Sequence, residues 1–160
     1  MLFSLMHIVH LLTSILWIGG LAFVTILVFP MLYATKDPLQ KALLFQRIEH
    51  RFAPIARIYS LVVGISGFAM LHMQGWHKAL FTKAGAPLLF MMLIWVMWTI
   101  MLFGLEPVII RRELERLMQK SDSLEVDDVF RRMNKLHWLL LALSLGAAAS
   151  GAVFAHGPAL

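Results

Sequence analysis

The chain has 160 residues, 60% of them hydrophobic and only 14% charged, with a formal net charge of +5 and no cysteine. A soluble domain is typically about 45–50% apolar and about 25% charged, so this composition describes an integral membrane protein. Without cysteine there can be no disulfide, thiolate metal site, Cys-ligated iron–sulfur cluster or covalent c-type haem attachment.

A helix needs ~20 apolar residues to cross the hydrocarbon, and four stretches qualify: 2–29, 53–73, 87–103 and 136–155. The first lacks a basic n-region and is too long for a signal-peptide core, so it reads as a retained span. The first connection, 30–52, carries Lys36-Asp37-Pro38 and then an amphipathic approach to the second helix, which Pro54 is expected to bend. Gly75, Gly85 and Pro87 punctuate the second connection. The third is expected to continue the helix past Pro107 through Arg111, Arg112, Glu113 and Arg116, to break at Ser121-Asp122-Ser123, and to resume near Asp127-Asp128, whose charge suits a helix N-terminus. The fold class is therefore all-α: a single-domain, four-helix up-down membrane bundle with cytoplasmic helical extensions.

Twelve of the 14 Lys and Arg fall in the first and third connections and their flanks, and all nine acidic residues lie there too. These are solvated charged segments, and they do not form a nucleic-acid patch. The positive-inside rule puts them in the cytoplasm, which gives a multi-pass protein of the bacterial inner membrane with both termini periplasmic.

The seven histidines are the chemically informative residues. Ionisable side chains at membrane depth are costly and usually face a bundle interior, and neutral imidazole is a common metal and haem-iron ligand. His7, His10, His72, His77 and His156 group at the outer face; His50 and His137 are the two at the cytoplasmic side. At 1.5 Å per residue, His10 lies roughly 9 Å and His72 roughly 12 Å outward of their helix midpoints, close enough in height to meet one metal. His137 lies roughly 15 Å inward and His50 roughly 21 Å inward, a poorer match. His77 and His156 read as interfacial side chains.

Helical spacing supplies three stripes. His10, Ser14, Trp17, Leu21 and Val24 form one, with Gly20 at its edge. His50, Arg57, Leu61, Gly64, Phe68 and His72 fall near one line of the second helix, with Gly67 beside it. His137, Leu141, Ser144, Ala148 and Gly151 form a small-residue stripe on the last helix. Small residues let helices approach closely, and the same lack of side chain can admit a flat macrocycle.

The run from His10 to Leu21 (His-Leu-Leu-Thr-Ser-Ile-Leu-Trp-Ile-Gly-Gly-Leu) resembles the first helix of CopD-like and HemJ-like small bacterial membrane proteins. Arg47-Ile48-Glu49-His50-Arg51-Phe52, with Gly64 and Gly67 downstream, and Arg131-Arg132-Met133-Asn134-Lys135 add looser similarity. The HemJ-like resemblance implies b-type haem and protoporphyrinogen oxidation; the CopD-like resemblance implies copper. The chain departs from the HemJ-like pattern in having no histidine in its third span and no Asn-Glu-Pro after Arg132. His50 and His137, both cytoplasmic, stand where that group carries other residues, and this favours a two-haem reading over the enzyme.

The leading expectation is a b-type cytochrome carrying one or two haems, with His10 and His72 holding the outer iron and His50 and His137 the inner one. Bis-imidazole ligation favours electron transfer over oxygen binding. Arg57 is a candidate for a propionate, Trp17 for a haem edge, and Gly20 and Gly64 for clearance. A quinone or a redox protein would be the partner besides membrane lipid, and an oligomer is compatible with the sequence. The alternatives are a protoporphyrinogen- or quinone-linked haem oxidoreductase, and a copper protein using some of the 11 methionines as soft ligands.

Overall fold

The computed structural model describes residues 1–105 and 123–156. α1 (Leu2–Phe23) runs through a widened π turn (Val24–Val28) into α2 (Phe29–Ala34). α3 (Pro38–Met73) follows after three residues, then a single 3-10 turn (Trp76–Lys78), α4 (Ala86–Ile100) with a second π turn (Met101–Leu105), and α5 (Ser123–His156). Four helices, Leu2–Ala34, Pro38–Met73, Ala86–Gly104 and Asp127–Ala155, are long and apolar enough to cross a membrane. The all-α four-helix membrane bundle expected from the sequence is the architecture observed. The continuation expected past Pro107 and the break at Ser121-Asp122 fall outside the described residues. α5 is already helical at Ser123, four residues before Asp127.

Helix ends follow local chemistry. Asp37 caps α3, its carboxylate accepting from the Leu39 amide at 2.9 Å, with Pro38 in the first turn, where a missing N–H costs nothing. α3 ends on Gly75, whose φ of 65° is the left-handed geometry that stops a helix. The amphipathic approach and the second span are one helix of 36 residues that runs unbroken through Pro54. At 1.5 Å per residue it is about 54 Å long, so it extends well beyond the ~30 Å of hydrocarbon at its basic end.

The first π turn ends two residues before Pro30. A proline cannot donate to the carbonyl four residues back, and widening the preceding turn is one way the ladder absorbs that loss. In the first π turn the Thr25 hydroxyl also donates to the Leu21 carbonyl at 2.7 Å.

α1 packs most closely along α3, and α4 along α5; the two pairs meet less extensively. Lipid tails are as apolar as leucine, so this association depends on close packing and polar contacts rather than on the hydrophobic effect. The contacts are specific. Trp95 Nε1 donates to the Ser60 carbonyl at 2.9 Å, Trp98 Nε1 to Ser144 Oγ at 2.9 Å, and Tyr33 to the Phe130 carbonyl at 3.2 Å. One core cluster, around Trp17, Ala56, Ile94, Trp98 and Leu140, fills the middle of the bundle. A second, around Val28, Phe29, Leu32, Phe45 and Phe130, closes the basic end. There Lys41, buried, pairs with the exposed carboxylate of Asp127, tying the start of α3 to α5.

Candidate functional site: two cavities along the bundle axis

Two cavities lie between the helices, one toward the termini and one toward the basic end. The terminus-side cavity encloses about 180 Å³ and is lined by His10, Ser14, Gly64, Gly67, Trp95 and Ser144, with Met70, Met91 and Met92 beside them. The basic-side cavity encloses about 690 Å³, and its overwhelmingly apolar lining includes His137, Glu49, Phe52, Met97, Met101 and Met133. Trp17 and Trp98 line both, their rings meeting edge-on with centroids 5.5 Å apart. They form the partition.

Each cavity has one histidine with its tautomer fixed. His10 Nδ1 lies 3.0 Å from the Val63 carbonyl and 3.1 Å from Ser66 Oγ. A carbonyl only accepts, and the Ser66 hydroxyl is directed at the Val62 carbonyl at 2.6 Å, so Nδ1 carries the hydrogen and the neutral ring keeps its lone pair on Nε2. His137 repeats the arrangement within its own helix, with Nδ1 2.8 Å from the Met133 carbonyl and the ring edge-on to Phe29 at 4.8 Å. Ligating histidines are typically anchored in this way, through the nitrogen that does not bind.

The structure does not bring the expected pairs together. His72 and His50 are both exposed and line neither cavity, so each inward histidine is without its proposed mate. The α3 stripe explains this: Leu61 and Phe68, on the same line, are 46% and 45% exposed. Most of that line faces away from the core, only Gly64 on it being buried, whereas the inward face of α3 runs through Ala53, Ala56, Ser60 and Val63. The α1 stripe faces inward as expected, with Trp17, Leu21 and Val24 buried, and so does the α5 stripe through Leu141 and Ser144. Among the described residues no group of three or more His, Asp or Glu could hold a metal ion.

The remaining candidates have identifiable duties. Arg57, half-buried, donates Nε to the Leu102 carbonyl at 3.0 Å. Gly64 gives Trp95 its seat: a Cβ there would come within 2.3 Å of the indole. Gly20 lies against Phe52, 2.8 Å from where its Cβ would be, and serves helix contact without lining a cavity. His7 packs near Phe3, and His77 is exposed.

Glu49 is the residue the sequence reading passed over. It lines the basic-side cavity, half-buried, and among the described residues it has no hydrogen-bond or ion-pair partner. The signal was present: Phe45, Glu49, Ala53 and Ala56 follow at helical spacing on the inward, small-residue face. Asn134, one turn before His137, has a buried Oδ1 without a hydrogen-bond partner among the described residues. No family model, curated protein or solved structure matches this chain.

Proposed function

We propose that the protein is a b-type haem protein of the bacterial inner membrane, with the basic-side cavity as its haem site and His137 as an axial ligand. The observation that carries this reading is His137 itself, held through Nδ1 by the Met133 carbonyl and lining an apolar cavity of about 690 Å³. That volume lies within the roughly 300–1,000 Å³ of typical small-molecule and cofactor pockets. The donor set fits one haem ligated by a single imidazole, with Met97 and Met101 of α4 as thioethers lining the same cavity. Bound haem would supply one-electron redox chemistry, with His137 and the α4 thioethers as the residues that would hold it.

The chain's own contribution is positional. Phe29 and the Met133 carbonyl fix the ring plane of His137; Leu21, Val24, Phe52 and Leu140 give the cavity an apolar lining. Glu49 places a carboxyl in the same apolar volume, so the propionates belong away from it. The basic end faces the cytoplasm under the positive-inside rule, which puts this site in the cytoplasmic half and the termini on the periplasmic side.

The test is an optical spectrum of protein purified after expression with adequate haem. The expected result is a Soret band in the wild type, lost in His137→Ala and kept in His10→Ala, both variants eluting as the wild type in gel filtration. A colourless wild type, or a Soret band that survives His137→Ala, overturns the reading.

A further inference from the structure

The connection between α3 and α4 carries side chains that the haem reading leaves unused. It is compact. Successive turns close as the amides of Lys78, Ala79, Thr82 and Gly85 donate to the carbonyls of Gly75, Trp76, Ala79 and Thr82, respectively. The Thr82 hydroxyl adds a bond to the Ala79 carbonyl at 2.7 Å. Gly85 is buried against that same carbonyl, where a Cβ would collide. Trp76 pins the loop to the bundle, its ring edge-on to Phe3 at 6.0 Å and to Phe154 at 5.0 Å.

Held in this way, the loop presents Phe81 at 89% exposure; among the large hydrophobics of the described residues only Met1 is more exposed. Lys78 and Lys83 flank it in sequence, and both are exposed. They are the two basic side chains outside the charged connections and their flanks. Every Asp and Glu of the chain lies in 37–49 or 106–128, so this connection carries positive charge with no carboxylate of its own.

Location chooses the partner. Met73 and Ala86 end the two adjoining spans, so the loop lies where hydrocarbon gives way to headgroups. Aromatic rings are favoured at that level, and lysine stems extend along apolar surface while the ammonium reaches polar groups. A soluble protein fits less well. Specific, stable interfaces bury about 800 Å² per partner, more than one phenylalanine and two lysines supply.

We infer that the 74–85 connection is a docking site for anionic phospholipid. Phe81 enters the boundary between headgroups and acyl chains, while Lys78 and Lys83 pair with the negative headgroup. The inference uses neither the large cavity nor His137, so it stands apart from the haem reading.

The experiment uses the full chain in nanodiscs, which leave both membrane faces open to solvent. Because the chain has no cysteine, Ala84→Cys, at an exposed position, takes a single fluorescent label on the loop. Nitroxide-labelled phosphatidylglycerol or phosphatidylcholine, doped into a phosphatidylcholine bilayer, quenches that label at short range. The basic stretches at the other end therefore do not contribute. Phosphatidylglycerol is expected to quench at a concentration about fivefold lower than phosphatidylcholine, the worth of one lysine near an anionic surface. Lys78→Gln combined with Lys83→Gln should abolish that preference. Salt at about 1 M should erode it, since the Debye length falls to about 3 Å. Phe81→Ser should weaken quenching by both lipids and open the label to aqueous iodide. Equal quenching by the two lipids in the wild type, or a preference unchanged in the lysine double variant, overturns the proposal. So does a wild-type label as open to iodide as that of Phe81→Ser, which would leave the loop in water for a soluble acidic partner. A colourless preparation, which would end the haem reading, leaves all of these measurements intact.

Discussion

The terminus-side and basic-side halves of the bundle use the same four helices to opposite ends. Toward the termini, the histidine anchor crosses between helices, from His10 to Val63, and the cavity is closed down to about 180 Å³. Toward the basic end, the anchor is internal to α5, from His137 to Met133, and the cavity opens to about 690 Å³. The difference lies partly in the backbone. Both π turns fall in the basic half, and Val24, Val28, Met101 and Leu102 from those turns line the larger cavity. π turns are rare and frequent at functional sites. An intrahelical anchor leaves the opposite wall free to retreat, whereas an interhelical anchor ties two walls together.

The largest expected effect sets one histidine against the other. His137→Ala should remove haem entirely, while His10→Ala should leave the Soret band. If the two substitutions gave the same spectrum, the halves would not be functionally distinct.

Two glycines sharpen the contrast in packing. A Cβ on Gly64 would press on a Trp95 indole tethered by its own hydrogen bond to Ser60. Gly64→Ala should therefore cost up to about 3 kcal/mol, as overpacking does when the neighbour cannot move. A Cβ on Gly20 meets only the far edge of the Phe52 ring, which borders the large cavity and can swing into it. Gly20→Ala should stay within about 1 kcal/mol of wild type, the helix preference for alanine offsetting the shift. Equilibrium unfolding of both variants in mixed micelles reads the difference.

The same contrast accounts for what was legible in the sequence. Hydropathy length gave four spans because backbone groups in lipid must bond within their own helix, leaving little freedom to the fold. The α1 stripe was legible because His10, Ser14 and Trp17 stand on one polar-and-aromatic face of a largely aliphatic helix. On α3 the histidines were misleading. His50 and His72 do share an azimuth, but a shared face is not an inward face, and the ends of a span in interfacial water tolerate exposed imidazole. Ala53, Ala56 and Ser60 mark the close-approach side, and Glu49 belongs to their line. The anchoring of Nδ1 on carbonyls was not legible, because for His10 it depends on which turn of α3 lies opposite.

A smaller effect is expected at the clamp that closes the basic half. Lys41 is buried while Asp127 is half exposed, so Asp127→Ala leaves an ammonium without its counter-charge. The expected loss is about 2 kcal/mol, below the value for a fully buried pair because water reaches the carboxylate. Lys41→Met combined with Asp127→Ala should recover most of it, since no unpaired charge then remains. A double variant as unstable as the single one would mean that α3 and α5 are held there by something other than this pair.

The smallest effect probes the partition. Trp98 Nε1 donates to Ser144 Oγ, and Ser144→Ala leaves that buried N–H without an acceptor while changing the packing volume little. The loss should be about 1 kcal/mol, near the upper range for interhelical hydrogen bonds measured in membranes. Because Trp98 also rests edge-on against Trp17, the indole should keep its place and the two cavities should stay separate. Haem content is then expected to match the wild type. If Ser144→Ala instead lowered haem content, the two cavities would be coupled through the tryptophan pair, and the halves would have to be treated as one site.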